Sequence, residues 1–448
     1  MESDLILNYE RKFFGTDGVR DLANSGSMTP EFALKLGRAF IKFNRGKKIV
    51  VGRDTRLSGK MLEGALTSGM SSEGAEIFSA GVIPTPGISY AVKSLNADGG
   101  AVISASHNPA EYNGIKFLGS DGCKLSDDEE AEIEQLLDNH SNFSGTVGNI
   151  NNNPELVKDY AKHIASFLND DAVVNNVAFD CASGASAESV PVLVAETKFS
   201  RLNTKIISRE YNGLDINKNC GVMFMKNLTD YVAQNKLALG FAFDGDADRV
   251  LISDGKGRII DGDIILWVLG RWLAKRKTKG SDKVAVTVMS NMALETHLAG
   301  EGIETLRCPV GDRYVLETMR NSGASLGGEQ SGHIIASEFT GTGDGLCTAV
   351  LFLNAVKELN EDVQTLIDRF GRYPQKLTNL MLTKPREFVN MEAIDEIVSE
   401  YREKISNGRI FIRTSGTEPL LRILIEAPEK NLVEELSEIL SSKLKEFC

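Results

Sequence analysis

The stretch Leu239-Gly240-Phe241-Ala242-Phe243-Asp244-Gly245-Asp246-Ala247-Asp248-Arg249-Val250-Leu251-Ile252 places an acidic loop between two short apolar runs. Runs of this length bounded by turn residues read as buried strands, so the hexapeptide is a loop at a strand end. With the loop near extended, side chains two apart face one way, and Asp244, Asp246 and Asp248 turn toward one point. Gly245 and Ala247 keep the turn uncrowded. Three carboxylates at one point disfavour each other's ionisation unless a cation is present. An all-oxygen set selects a hard divalent ion, Mg²⁺ or similar, one per chain. An EF-hand loop does not fit. Its turn glycine would fall on Arg249 and its bidentate Glu on Gly255, and the flanks are strand-like. Three protein ligands leave coordination positions open, and Mg²⁺ sites commonly fill such positions with phosphate.

Outward from this loop one pattern recurs. Apolar runs at 48–51 and 75–78 flank a helical pattern at 58–70; runs at 176–180 and 205–207 flank one at 186–197; runs at 284–288 and 303–306 flank one at 292–299. Each is a βαβ unit, which predicts helix-covered sheets. The tail differs, with helix (391–404), strand (410–413), strand (420–427) and helix (431–446), a small α+β arrangement. The reading is an α/β chain: three related α/β domains with mixed, mostly parallel sheets plus a small C-terminal α+β domain. A turn-rich linker at 144–154, the turn Asp254-Gly255-Lys256-Gly257 and the run Gly371-Arg372-Tyr373-Pro374 mark the joints. The domains are expected at 1–153, 154–256, 257–372 and 373–448. Ser126 and Glu129 form a capping box for a helix through Leu137.

Composition narrows the classes. Hydrophobic content of 42% and charged content of 25% suit a soluble globular protein. No apolar run is long enough to span a bilayer, and the start Met1-Glu2-Ser3-Asp4 has no signal-peptide character. Six cysteines without metal spacing read as free thiols in a reducing cytoplasm. A net charge of −12 argues against a nucleic-acid partner, and an anionic substrate must then be met by local basic groups.

Three further loops carry chemistry. Ser104-Ala105-Ser106-His107-Asn108-Pro109 follows an apolar run, with Lys116 shortly after. It suggests an activated hydroxyl, although a polar turn closed by proline explains it nearly as well. Gly328-Glu329-Gln330-Ser331-Gly332-His333 offers donors and acceptors that suit sugar hydroxyls, with a structural turn as the plain alternative. Arg413-Thr414-Ser415-Gly416-Thr417-Glu418-Pro419, with Arg422 beyond it, brings guanidinium, hydroxyl and open backbone together and reads as a phosphate clamp, with a plain hairpin loop, which would not need two arginines, as the alternative.

Taken in order, these four loops resemble the phosphoserine, metal, sugar and phosphate loops of the α-D-phosphohexomutase family over essentially the whole chain. The resemblance implies an active site in the central cleft. Ser106 becomes the phosphoryl carrier, and its phosphate oxygen joins Asp244, Asp246 and Asp248 around Mg²⁺. Arg20, Lys116 and Arg249 are the implied cations near the serine, and Lys116 or His107 the group that manages the proton. Glu329, Ser331 and His333 would hold the sugar. Arg413, Ser415, Gly416, Thr417 and Arg422 would grip the phosphate that is not reacting. The runs Phe14-Gly15-Thr16-Asp17-Gly18-Val19-Arg20, Gly81-Val82-Ile83-Pro84-Thr85-Pro86 and Val310-Gly311-Asp312-Arg313-Tyr314 point within the family to glucosamine 6-phosphate and glucosamine 1-phosphate as the interconverted pair. The implied intermediate and activator is a sugar 1,6-bisphosphate, and the product feeds UDP-N-acetylglucosamine and cell-wall precursor synthesis. The same chemistry on mannose or glucose phosphates is the alternative. The partner is a phosphorylated hexosamine, with no nucleic acid and no membrane. A homodimer is an assembly the resemblance allows, and the sequence does not choose the oligomeric state.

Overall fold

The computed structural model describes residues 11–137, 145–169, 176–196, 199–385, 388–405, 407–415 and 419–447. They form two compact units. The first takes residues up to Met289 together with Ile303–Leu366, the second Ser290–Gly302 and residues from Ile367 onward.

The first sheet of the larger unit has seven strands: β1 (Phe14–Gly15), β2 (Gly18–Leu22), β3 (Lys48–Arg53), β4 (Glu76–Val82), β5 (Gly99–Ile103), β6 (Tyr112–Leu118) and β7 (Ile150–Asn152), in the order β1-β2-β6-β5-β3-β4-β7. A five-stranded sheet follows: β8 (Val177–Asp180), β9 (Thr204–Ile207), β10 (Leu239–Phe243), β11 (Val250–Asp254) and β12 (Ile259–Ile260), ordered β12-β11-β10-β8-β9. A third sheet has β13 (Lys283–Thr287), β14 (Glu304–Cys308), β15 (Leu326–Gly328) and β16 (Ile334–Ala336), ordered β14-β13-β15-β16.

One topology is written three times in these sheets. β3, β8 and β13 each pair in parallel with the next two strands along the chain. The third strand of each set then pairs antiparallel with a fourth, giving β5–β6, β10–β11 and β15–β16. The turn from third to fourth strand holds Ser104–Glu111 in the first sheet, Asp244–Arg249 in the second and Glu329–His333 in the third. Three of the four singled-out loops are therefore topologically equivalent. Each leaves the carboxyl end of a parallel strand, where open α/β sheets place ligands.

The local reasons are ordinary. β5 and β10 are buried at every residue, and their apolar runs fit strands covered on both faces. Helix Pro30–Asn44 starts at Thr29, whose hydroxyl accepts from the Phe32 amide at 3.2 Å, and ends at Arg45 in the left-handed region. Phe40 of this helix stacks on Phe117 of β6 at 4.1 Å between ring centroids. The Ser126–Glu129 box forms: the Ser126 amide donates to Glu129 at 2.7 Å and the Glu129 amide to the Ser126 hydroxyl at 3.3 Å. The 144–154 stretch, read as linker, contributes β7, because its Ile150–Asn152 segment finds the open edge of β4.

The second unit is a three-stranded antiparallel sheet of β17 (Gln375–Met381), β18 (Arg409–Thr414) and β19 (Leu420–Glu426), with β19 central. Helices Met391–Arg402 and Lys430–Leu444 bury Ile394, Val398, Leu436 and Leu440 against Leu421 and Ile423. Helix Met292–Gly300 groups with this unit: the Met292 amide donates to Glu426 at 2.9 Å. Among the described residues no helix is long and apolar enough to cross a membrane. Cys123, Cys181, Cys220, Cys308 and Cys347 are free and buried, and Cys448 lies outside the described residues.

Candidate active site

The larger unit brings the serine loop onto the acidic loop. Ser106, 1% exposed, donates its hydroxyl to Asp244 Oδ2 at 2.6 Å. The backbone of Ser106 has φ +49°, a left-handed conformation costly for a residue with a Cβ. Gly245 makes the approach possible: a Cβ there would stand 2.5 Å from the Ser106 carbonyl oxygen. The opposing loops fit only with no side chain at that position.

Asp244, Asp246 and Asp248 are buried, with ligand oxygens within 4.8 Å of one another. Burial together with Asp248 and Asp246 pushes the Asp244 carboxyl well above the usual range, and burial with Asp246 raises Asp248. Asp246 goes the other way: burial raises it, but the charge and hydrogen bond of Lys116 together with the Thr85 hydroxyl more than offset this. Oδ1 of Asp246 and of Asp248 are buried without a hydrogen-bond donor. Converging, mutually repelling carboxylate oxygens with open lone pairs fit a hard cation such as Mg²⁺.

The cations expected near the serine are present. Lys116 is buried in β6 and donates to Asp246 at 2.7 Å and to Asp17 at 3.3 Å, with Asp248 at 3.7 Å. Burial works against its charge, yet Asp17, Asp246 and Asp248 hold the ammonium above the ordinary lysine range. Arg20 pairs with Asp17 and reaches the Ala105 carbonyl at 3.3 Å and Asn108 Oδ1 at 3.4 Å. The Arg249 amide donates to Asp244 at 3.2 Å and its guanidinium lies 3.9 Å from Asp248. His107 Nδ1 is 3.4 Å from the Ser106 hydroxyl. Burial, with Arg249 and Arg20 nearby, lowers its pKa to about 4, leaving the ring neutral at pH 7.

The third loop is stitched to the second. Arg249 and His333 form a β-bridge, and the Val250 amide donates to the Gly332 carbonyl at 3.1 Å. Glu329, 9% exposed, accepts from the Gly311 amide at 3.3 Å and from Ser331 at 3.4 Å. The fourth loop belongs to the second unit. Arg413 of β18 and Arg422 of β19 are direct cross-strand partners, and the hairpin closes through the Ser415 amide to the Leu420 carbonyl at 2.8 Å. Like charges directly opposite each other destabilise a sheet unless an anion offsets them. Gly416 and Thr417 lie outside the described residues.

Several residues with clear work here were assigned no role from the sequence. Asp54 and Arg56, just past β3, hold the serine loop from behind. Asn217 donates to the Ser106 carbonyl at 2.8 Å. Thr85 donates its hydroxyl to Asp246 at 2.6 Å and its amide to the Asp246 carbonyl at 2.9 Å. Asp17 joins Arg20, Lys116 and Lys124. The sequence signal for Asp54 and Arg56 was an unusual density of charge directly after a buried strand, Arg53-Asp54-Thr55-Arg56, while Asp17 and Thr85 fall within the runs Phe14–Arg20 and Gly81–Pro86.

Comparison with known proteins identifies similar chains. Family models described as phosphoglucomutase/phosphomannomutase match in three places: alpha/beta/alpha domain I at residues 11–144, alpha/beta/alpha domain III at 261–373 and the C-terminal domain at 377–442. The phosphoglucosamine mutase of Anoxybacillus flavithermus is 40% identical over 445 residues, covering 97% of this chain and 99% of that protein. The phosphoglucosamine mutase of Bacillus subtilis is 41% identical over 434 residues, covering 95% and 96%. Among solved structures, a phosphoglucomutase/phosphomannomutase family protein from Burkholderia thailandensis superposes with a TM-score of 0.82 over 97% of both chains at 23% identity, a likeness of fold.

Proposed function

The chain belongs to the phosphoglucomutase/phosphomannomutase family, the α-D-phosphohexomutases, and on that premise we propose that it interconverts glucosamine 6-phosphate and glucosamine 1-phosphate through a phosphorylated Ser106 and a sugar 1,6-bisphosphate. The observation that carries this reading is the 2.6 Å contact between the Ser106 hydroxyl and Asp244, inside a triad of buried carboxylates. The choice of hexosamine phosphate rests on the relatives above.

In the proposed step a sugar hydroxyl attacks the phosphorus on Ser106. The Ser106 Oγ–P bond breaks as the sugar O–P bond forms. His107 takes the proton of the incoming hydroxyl and delivers it to the departing serine oxygen. The reverse step returns the other phosphate of the bisphosphate to Ser106. Asp244, Asp246 and Asp248, with the phosphoserine oxygen, would hold Mg²⁺, which supplies neutralisation of charge on the transferring group. Lys116, Arg20 and Arg249 add fixed positive charge around the same atoms. Glu329, Ser331 and His333 take sugar hydroxyls. Arg413, Ser415 and Arg422, with Gly416 and Thr417, take the phosphate that is not reacting.

An intact-mass measurement of the purified protein is expected to show one added phosphate, mapped to Ser106. Ser106→Ala should lose it and lose turnover while keeping its fold. Mutase activity in that variant would falsify the phosphoserine assignment. Parallel assays with glucosamine, glucose and mannose phosphates settle the substrate.

A further inference from the structure

We infer that Arg56 is a positioning residue, a buried guanidinium that fixes the pose of Ser106 and so sets kcat without touching the sugar. The inference rests on Ser106 being the phosphoryl carrier.

Arg56 is 1% exposed and stands three residues past the end of β3. A guanidinium has five N–H donors in a rigid fork, and here each direction of the fork is used. Nε donates to Asp54 Oδ2 at 2.8 Å. Nη1 donates to the Tyr112 carbonyl at 2.9 Å and to the Pro109 carbonyl. Nη2 donates to the carbonyls of Ser106 at 3.0 Å and Asn108 at 2.8 Å. One side chain thus gathers three carbonyls of the turn between β5 and β6 and that of Tyr112, the first residue of β6.

A second line reaches the serine from its amide side. Asp54 Oδ2 accepts the Ser104 hydroxyl at 2.6 Å, and the Ser104 oxygen accepts the Ser106 amide at 2.9 Å. The amide and the carbonyl of Ser106 are therefore both tied to the Asp54–Arg56 pair. Asn217, from beyond β9, adds donors to the same Ser106 and Asn108 carbonyls at 2.8 and 3.1 Å. A non-glycine residue at φ +49° persists only when its surroundings over-determine it. These bonds supply that constraint. A lysine could keep the charge of Arg56 but could not reach four carbonyls and a carboxylate at once.

The test compares Arg56→Lys with the wild type under saturating sugar phosphate. Displacing reacting atoms by about 1 Å costs on the order of 10²-fold, so kcat should fall by about that factor while KM stays within about twofold. Arg56→Ala should fall further and recover in part on adding guanidinium at concentrations that do not unfold it. Ser104→Ala removes the hydroxyl that links the Ser106 amide to Asp54. It should cost about tenfold in kcat, the rate equivalent of one hydrogen bond, and it keeps the question open to experiment if the Arg56 variants do not fold. A folded Arg56→Lys or Ser104→Ala chain turning over at the wild-type rate overturns the inference, as does a loss carried by KM instead of kcat. The wild-type intact mass separates the two levels of failure. No phosphate on Ser106 defeats the carrier reading itself, whereas a phosphorylated wild type beside a fully active Arg56→Lys defeats only the role of Arg56.

Discussion

At the scale of single residues, the chemistry depends on where side chains are missing as much as on where they stand. Gly245 has room for a hydrogen and nothing more, since a Cβ would lie 2.5 Å from the Ser106 carbonyl, a backbone atom that Arg56 and Asn217 hold in place. Gly245→Ala is expected to destabilise by about 1–3 kcal/mol, the usual cost of forcing atoms into a packed site, and to lower kcat by parting Ser106 from Asp244. Gly64 is the control. It sits exposed in helix Gly59–Ser72, and a Cβ there meets nothing within 4 Å. Gly64→Ala should stabilise by about 0.5–1 kcal/mol with no change in rate. Denaturant midpoints and kcat for both variants check the pair; equal effects at the two glycines would show that the loops do not meet as described. The alternating aspartates and Ser106 were legible in the sequence because each carries its chemistry in a short run. Arg56, Asn217 and Thr85 were not. Their partners lie about 50, 111 and 161 residues away, and a charged or polar residue after a strand looks alike whether it clamps a catalytic loop or faces water.

At the scale of elements, helix Gly345–Leu359 connects its own capping to the metal loop. Its N-cap, Asp344, accepts from the Cys347 amide at 2.9 Å and from the Tyr160 hydroxyl at 2.9 Å. The next amide, Gly345, donates to the Ala247 carbonyl at 3.0 Å. Burial pushes the Asp344 carboxyl from 3.8 up to about 7, against the stabilising bonds from Cys347 and Tyr160. A carboxyl that holds its proton more tightly in the fold than in the unfolded chain stabilises fully below the unfolded pKa. That contribution fades as pH rises through the folded value. Stability at this site should therefore be complete below about pH 4 and lost progressively up to about pH 7, with a ceiling of about 4 kcal/mol at about 1.4 kcal/mol per unit. Asp344→Asn keeps the cap and an acceptor for Tyr160 without the ionisation. It should flatten the fall in urea midpoint between pH 5 and 7.5; an unchanged slope would place the titration elsewhere. Most elements were readable from periodicity and caps, the Ser126–Glu129 box included. β7 was not, because Ile150-Asn151-Asn152 has the composition of a turn and becomes strand only by completing the edge beside β4.

At the scale of the whole molecule, the repeated strand order explains why motifs far apart in sequence converge. Three parallel strands and an antiparallel fourth, drawn three times, put the Ser104–Glu111, Asp244–Arg249 and Glu329–His333 loops at equivalent turns. The sequence revealed the βαβ repeats and the strand at Val250-Leu251-Ile252, but not that the fourth strand of each set runs antiparallel, since a short apolar run carries no mark of its direction. One consequence is thermodynamic. The metal loop buries three carboxylates, two of them with pKa values raised, beside Lys116 and Arg249. The folded chain thus carries unrelieved repulsion that a divalent ion relieves and that the unfolded chain lacks. An ion that binds only the folded state stabilises it by about 2.7 kcal/mol at a hundred times its Kd. For a protein of this size that corresponds to roughly 3–5 °C in thermal midpoint. Mg²⁺ added to chelator-treated protein should raise Tm by that amount, and exhaustive chelation should abolish turnover. In Asp244→Asn/Asp248→Asn, which removes the two carboxylates with raised pKa values and keeps the Asp246–Lys116 pair, the midpoint without metal should rise, because the repulsion is eased, and the Mg²⁺ response should vanish. A Mg²⁺-dependent shift surviving in the double variant would move the ion to another place in the fold.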